Sequence, residues 1–153
     1  MAVGKPGRLV GEAIAEYEKR AARYWSFDFA EVKEERAVKG LGDDAVRSAE
    51  GERILQRVPD GFELVALTRT GTAWPSTRLS QYLQQLAAQG SAGVAFVIGG
   101  AIGLGNNVIA RATRQLRISD MTLTHELARL VLTEQLYRAG TIARGEPYHK
   151  GAE

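Results

Sequence analysis

Three short segments in the second half of the chain carry residue types that could hold a ligand or react with one. The apolar residues 94–98 run into a glycine-rich turn at 99–105. Residues 119–129 form a second turn that opens into a helix, and residues 144–150 read Arg-Gly-Glu-Pro-Tyr-His-Lys. Glycines at a strand end allow φ > 0 and let a ligand approach without a Cβ in the way. The order of these segments therefore indicates a binding site built from loops.

The spacing of these residues excludes three common chemistries. A dinucleotide-binding fold needs G-x-G-x-x-G in its first βα turn, whereas the glycines here read G-G-x-x-G-x-G after the fourth or fifth predicted strand. A P-loop needs Gly-Lys-Ser/Thr, but Asn106 and Asn107 follow the glycines. A serine hydrolase of the nucleophile-elbow type needs G-x-S-x-G, which does not occur in the sequence.

Composition narrows the function classes further. The chain has no cysteine and only two histidines, so we expect neither a disulfide framework nor a zinc site. It carries no apolar run of membrane-spanning length and no secretory signal at its start, so we expect a cytoplasmic protein. The excess positive charge lies in residues 111–153, which hold 7 Lys/Arg against 5 Asp/Glu. That excess is a mild indication of a polyanionic partner.

The elements that must position these segments alternate between helices and strands in a single predicted domain. Helices are predicted over about 8–24, 43–57, 76–90, 106–114 and 125–142, and strands over 27–32, 64–68, 94–98 and 116–118. This alternation predicts an α/β fold with strand 94–98 in the centre of a parallel sheet. Residues 1–3 predict only a weak first strand at a sheet edge. The charged residues 31–57 are interpreted as a solvent-exposed face.

In open α/β sheets, ligands bind at the carboxyl ends of the strands. Three such ends are visible in the sequence, at residues 67–68, 99–100 and 119–124. Backbone amides and carbonyls of these loops would suit an adenosine-type cofactor. The residues alone leave open which cofactor that is.

The chain resembles the RlmH family of ribosomal RNA methyltransferases, members of the SPOUT class. The resemblance rests on segments in the same order along the whole chain, of which the last is the most specific. They are Ala2-Val3-Gly4-Lys5, Ile14-Ala15-Glu16-Tyr17-Glu18-Lys19-Arg20, Glu50-Gly51-Glu52-Arg53-Ile54-Leu55, residues 96–104, residues 121–129, Glu134-Gln135-Leu136-Tyr137-Arg138-Ala139 and residues 144–150.

The resemblance implies a fold and an activity. The fold would be an open, mainly parallel sheet flanked by helices, in one domain 1–153, with a C-terminal trefoil knot and cofactor site at about 94–150. The activity would be S-adenosyl-L-methionine-dependent methylation of N3 of a pseudouridine in 23S ribosomal RNA on the assembled ribosome. The protein would act as a homodimer, with no metal and no membrane.

The resemblance also implies which residues form the site. The cofactor would contact Leu67, Gly100, Ser119, Asp120, Met121, Thr122, Leu123 and Thr124. The RNA would meet Arg138, Tyr148, His149 and Lys150. Of these, Arg138 would stabilise the anion developing on the base and His149 would accept its proton. Gly100 is expected to leave room for the cofactor, so we expect Gly100→Val to block binding without unfolding the protein.

Other interpretations remain open. One is a catalytically inactive ribosome- or RNA-binding module of the same fold, because Thr124 stands where the family has proline and the first strand is short. Another is an α/β methyltransferase that acts on a small molecule. Two neighbouring side chains have structural interpretations: His125 as a helix cap and Tyr137 as a core residue.

Overall fold

Strands and helices alternate along the described part of the chain. The computed structural model describes residues 1–35 and 42–149. The strands are β1 (Ala2–Val3), β2 (Glu31–Val32), β3 (Glu63–Ala73), β4 (Val94–Val97) and β5 (Arg114–Arg117). The helices are α1 (Arg8–Ala21), α2 (Asp43–Leu55), α3 (Ser76–Ala88), α4 (Asn106–Arg111) and α5 (His125–Ala143), followed by a 3₁₀ helix, η1 (Pro147–His149). This order confirms the predicted α/β class.

All strand pairings are parallel, and they join the strands in the order β2-β1-β4-β3-β5. β3 pairs with both β4 and β5, and β1 pairs with β2. A bridge between Ala2 and Ile98 connects the two groups, with the Val3 amide 3.1 Å from the Ile98 carbonyl oxygen. Strand β4 therefore has a neighbour on each side, as predicted. Strand β1 is short but interior, so its prediction as a sheet edge was wrong.

Two strand predictions differ from the structure. Only Glu31 and Val32 of the segment 27–32 join the sheet. Phe27 and Phe29 alternate with polar residues because both side chains pack against the core, not because their backbone belongs to a strand. Strand β3 is twice as long as predicted, since it continues to Ala73 past an irregularity in its pairing with β5.

Alternate residues of the central strands face two separate cores. Val65 and Phe96 pack against side chains of α1, α3 and α5, while Leu64 and Val97 pack against side chains of α2 and α4. Three of these four side chains are fully buried, and Phe96 is 7% exposed. Helices therefore cover both faces of the sheet, which explains why β4 is apolar throughout.

Helix α5 is the longest element and connects two distant parts of the molecule. It begins after Thr124, whose Oγ1 accepts a hydrogen bond from the Leu127 amide at 3.3 Å. Thr124, not His125, is thus the cap. The buried Arg129 ties the helix to α1 and β2 through Glu18 at 2.8 Å and Glu31 at 3.2 Å. Its 19 residues span about 28 Å. Within the described ranges, no helix has both the length and the apolarity needed to cross a bilayer.

Candidate functional site

A cleft of about 740 Å³ lies where the carboxyl ends of β3, β4 and β5 meet. This is the edge of the sheet at which α/β folds bind ligands. Six residues predicted to contact a cofactor line it: Leu67, Gly100, Ser119, Met121, Thr122 and Leu123. They come from three separate segments of the chain, which the parallel sheet brings together.

The floor of the cleft is the tight turn after β4. The Gly103 amide donates a hydrogen bond to the Gly100 carbonyl oxygen at 3.0 Å, and Gly103 adopts φ +85°. A Cβ on Gly99 would lie 2.4 Å from the Gly103 carbonyl carbon. Glycine at 99 and 103 is therefore required by the turn itself.

Gly100 lines the cleft, and a side chain at this position would also contact two neighbouring residues. A Cβ there would lie 3.0 Å from Oε2 of Glu50 and 3.2 Å from Cγ1 of Val3. The structure therefore gives this glycine a packing reason next to Glu50 and Val3, and its expected role in making room for a cofactor stays a prediction. We now expect Gly100→Val to displace the turn and lower stability along with ligand binding.

Glu50 is an unusual support for this floor, because it is an acidic residue in a buried position. One oxygen, Oε1, accepts a hydrogen bond from the Glu35 amide at 3.0 Å. The other, Oε2, accepts none from the residues that the structure describes. The side chain is 5% exposed, and burial raises the pKa of the carboxyl group above its ordinary value.

One wall of the cleft is an irregular section of β3. Leu67 and Thr72 both pair with Leu116 of β5, so the four residues between them bulge out of the ladder. Thr68, Arg69 and Thr70 from this bulge line the cleft. Gly71 closes the bulge, since a Cβ there would lie 2.7 Å from the backbone of β5. The lone glycine inside the strand was the sequence signal for this bulge.

The other wall is the loop between β5 and α5. Ser119 shapes it by accepting a hydrogen bond from the Met121 amide on Oγ at 3.0 Å. Asp120 and Thr124 were expected to contact the cofactor, but neither lines the cleft. Asp120 pairs with Arg117 at 2.5 Å, and Thr124 caps α5. Asp120 therefore links the loop to the end of β5, and Thr124 links it to the start of α5.

Charged side chains reach the cleft from an element that sequence reasoning had assigned to solvent. Asp43 and Arg47 of α2 both line it, beside the glycine-rich turn. The Arg47 guanidinium donates to the Ile102 carbonyl oxygen at 3.4 Å. The sequence gave no local signal for these two charged residues, because α2 reads as an ordinary solvated helix. Only the packing of α2 beside this turn brings their side chains to the cleft.

The remaining predicted residues lie at the other end of α5. Arg138 donates two hydrogen bonds to Oε1 of Glu134, at 3.0 and 2.7 Å, and its guanidinium stacks 4.8 Å from the Tyr148 ring centre. The Tyr148 hydroxyl donates to the same oxygen at 3.2 Å, and its ring lies 4.6 Å from that of Tyr137. Hydrogen bonding to Glu134 raises the pKa of Arg138, which keeps it charged. Glu134, Tyr137, Arg138 and Tyr148 are called the C-terminal cluster below.

Two predicted RNA-facing residues are less fully described. His149 is the last residue of η1, and Lys150 lies outside the described residues. Tyr137 is half-buried and packs against the core, as predicted, but it also stacks on Tyr148.

The cleft and the C-terminal cluster do not meet within the chain. Ala128 lines the cleft, and Arg138 follows it ten residues later on the same helix, which corresponds to about 15 Å along the axis. Neither Arg138 nor Tyr148 lines the cleft. The predicted site residues therefore form two groups at the two ends of α5.

Comparison with known proteins gives a consistent result. The family model described as Predicted SPOUT methyltransferase matches residues 1–149. The protein named Ribosomal RNA large subunit methyltransferase H from Gemmatimonas aurantiaca is 47% identical over 151 residues, 98% of this chain and 97% of that protein. Its namesake from Listeria welshimeri is 44% identical over 142 residues, 91% of this chain and 89% of that protein.

A solved structure shares the fold at low identity. The structure of a probable methylase family protein from Haemophilus influenzae matches with a TM-score of 0.50 and 14% identity. The match covers 98% of this chain and 69% of that one.

Proposed function

The chain belongs to the SPOUT methyltransferase family and to the group of proteins named ribosomal RNA large subunit methyltransferase H, and from this premise we propose that it methylates N3 of a pseudouridine in 23S ribosomal RNA. The methyl donor is S-adenosyl-L-methionine, and the RNA is presented by the assembled ribosome in the cytoplasm. In the same proposal, the segment from about 94 to 150 forms a trefoil knot.

The observation that carries this proposal is the convergence of three loops on one cleft. Its volume of about 740 Å³ lies within the range of roughly 300–1,000 Å³ that is typical of small-molecule sites. Leu67, Leu116 and Ile118 offer apolar surface for an adenine ring. The turn at 99–103 and the loop at 119–123 bring main-chain groups to the same space. These features fit an adenosine-containing cofactor.

The reaction requires one proton to leave the base. When bound, the cofactor supplies an electrophilic methyl group on a sulfonium sulfur; its carbon–sulfur bond breaks as the bond to N3 forms. N3 of the base carries a proton at neutral pH, so the transfer needs a proton acceptor or a cation that stabilises the developing anion. We assign the acceptor role to His149 and the cation role to Arg138. Alignment of the two substrates supplies much of the remaining rate enhancement.

Tyr148 and Lys150 are assigned to the RNA. Tyr148, the middle residue of η1, is 37% exposed, so an unpaired base could stack on its ring. Lys150 lies two residues further along the sequence and adds a positive charge for an RNA phosphate. The substrate of this cluster is thus expected to be a single-stranded loop of RNA.

Because the C-terminal cluster lies about 15 Å along α5 from the cleft, we propose that a second copy of the chain supplies it. Exposed apolar side chains near the cleft support such a homodimer: Met121 is 78% exposed, Leu9 76% and Leu127 40%. Leu9 lies in α1. Gly7, the residue before this helix, donates a hydrogen bond from its amide to Oε2 of Glu126 at 2.8 Å. Sedimentation at micromolar concentration should therefore find a dimer; a monomer would contradict this part of the proposal.

The decisive experiment is transfer of a labelled methyl group to ribosomes that lack the modification. Free 23S RNA and separate subunits serve as controls. Label on 23S RNA in whole ribosomes would support the proposal, and mapping would place it on N3. Cofactor binding without any label would indicate a different substrate, such as a small molecule. Neither binding nor label would favour an inactive RNA-binding module.

A further inference from the structure

Two side chains of α2 bring opposite charges to the cleft, which its backbone loops do not provide. Asp43 and Arg47 are four residues apart on α2, so their side chains lie on the same face of the helix. Both line the cleft at the side of the glycine-rich turn. They therefore present one negative and one positive charge next to each other at a site for a small molecule.

Packing fixes the position of this part of α2. The Asn107 side-chain amide donates to the Ser48 carbonyl oxygen at 3.0 Å. A Cβ on Gly105 would lie 2.6 Å from the Arg47 carbonyl oxygen, so the start of α4 contacts the α2 backbone directly. The Arg47 side chain is 33% exposed and reaches the Ile102 carbonyl oxygen. The cation is thus held beside the turn that forms the cleft floor.

Both side chains retain the capacity to bind a ligand. Arg47 contacts Asp44 and Ile102, which leaves further N–H groups of its five free to donate. Asp43 makes no hydrogen bond or ion pair with side chains in residues 1–35 and 42–149, whereas its neighbour Asp44 contacts Arg47. A carboxylate and a guanidinium at this spacing match the ammonium and carboxylate groups of a free α-amino acid.

We propose that Arg47 binds the carboxylate, and Asp43 the ammonium group, of the amino-acid part of the cofactor. This inference rests on the proposed function, because it assumes that the adenosine part lies in the same cleft. It divides recognition between two kinds of group: loop backbone for the adenosine and α2 side chains for the zwitterionic end. A guanidinium matches a carboxylate through paired N–H groups, so lysine would replace Arg47 only in part.

The test compares two ligands that differ in the amino-acid part. S-adenosylhomocysteine carries it, and 5′-methylthioadenosine shares the adenosine and the thioether but lacks it. Calorimetric titration of the full chain should show that Arg47→Gln weakens S-adenosylhomocysteine about tenfold to 100-fold, the range expected for a hydrogen bond to a charged group. Methylthioadenosine affinity should change less than about twofold. Arg47→Lys should lie between wild type and Arg47→Gln.

Asp43 is tested in the same way with an analogue that lacks only the ammonium group. Asp43→Asn should weaken S-adenosylhomocysteine, but it should leave the affinity for the deaminated analogue unchanged. The matched controls are Arg111→Gln and Asp60→Asn, exposed residues that do not line the cleft. Both controls should bind every ligand as the wild type does, and thermal melting should show that all variants fold.

The outcomes separate this inference from the proposed function. Equal losses of both ligands in Arg47→Gln would overturn it, because the arginine would then act through the shape of the turn. Unchanged affinity for both ligands would overturn it as well. If the wild-type chain bound neither ligand, the proposed function would fail together with the inference.

Discussion

The cleft and the C-terminal cluster lie at opposite ends of α5 and are built in different ways. The cleft is formed mainly by loop backbone: a glycine turn, a four-residue bulge and the loop before α5. The C-terminal cluster is formed by side chains, with two tyrosine rings, an arginine and the carboxylate that holds it. Backbone loops suit a ligand of fixed shape, whereas exposed aromatic and cationic side chains suit an RNA loop.

This contrast suggests that the two regions work independently within one chain. The turn at 99–103 is held by its own hydrogen bond and lies next to Glu50 and Val3. The C-terminal cluster is held by Glu134, which accepts from both Arg138 and Tyr148. Each region should therefore be removable without loss of the other.

Truncation after Glu146 should give the largest effect. It removes η1 but keeps Glu146, which accepts a hydrogen bond from the Tyr24 hydroxyl at 2.5 Å. We expect methyl transfer to ribosomes to fall at least about 1,000-fold, because Tyr148 and the assigned proton acceptor His149 are lost. Cofactor affinity, measured by calorimetry, should change less than about twofold, since neither Pro147 nor Tyr148 lines the cleft.

A shorter truncation after Lys150 is the matched control and should remain fully active. A loss of cofactor binding after the longer truncation would show that the two regions are coupled. Normal methyl transfer by the longer truncation would remove the C-terminal segment from the proposed site.

Substitution of Arg138 should give a smaller loss of the same kind. Arg138→Gln removes the cation that stacks on Tyr148 and pairs with Glu134. We expect kcat for methyl transfer to fall about 100-fold, the usual cost of losing one charge-stabilising group. Arg78→Gln is the control, because Arg78 is an exposed arginine that stacks on Trp74 at 5.1 Å, away from both regions. Equal effects of the two variants would indicate that Arg138 has only a structural role.

The two regions also differ in how far the sequence predicts them. The cleft floor and its position at the strand ends follow from local rules. In an α/β fold, an apolar run before Gly99 and Gly100 predicts a buried strand that ends in a tight turn. The β3 bulge was missed, although Gly71 inside the strand was its signal. Asp43 and Arg47 were missed as well, because only the packing of α2 against α4 brings them to the cleft.

The C-terminal cluster could not be predicted by local rules at all. Arg138 and Tyr148 are ten residues apart in sequence and meet only because η1 turns back against α5. Composition alone would have assigned residues 147–150 to a frayed end. Their assignment came from the resemblance, and the stacking of Tyr148 on Tyr137 now gives the described part of that segment a defined position.

Thr124 tests how strongly the loop at 119–123 depends on the start of α5. Thr124→Ala removes the cap and should lower the free energy of unfolding by about 1 kcal/mol. Cofactor affinity should fall severalfold, because the loop ends at this residue. Urea unfolding and calorimetry measure the two effects. Thr124→Ser keeps the hydroxyl and should restore both; unchanged affinity in Thr124→Ala would show that the loop is held elsewhere.

Glu50→Gln should have the smallest effect, and its sign depends on pH. Burial raises the pKa of Glu50 in the folded protein, so the folded state holds this proton more tightly than the unfolded state. The wild type therefore loses stability as pH rises from the ordinary glutamate range through the raised pKa. A glutamine keeps an oxygen for the Glu35 amide and does not ionise, so Glu50→Gln should escape that loss.

Urea unfolding at about pH 5 and about pH 8 measures this difference. The advantage of Glu50→Gln over the wild type should be larger at the higher pH, and it should remain smaller than the effect of Thr124→Ala. Glu52→Gln, an exposed substitution on the same helix, should follow the wild-type pH dependence. If Glu50→Gln also follows the wild-type pH dependence, the ionisation of Glu50 beneath Gly100 does not lower the stability of the folded protein. A large loss of cofactor affinity in Glu50→Gln would instead show that the backbone floor of the cleft requires a charged support.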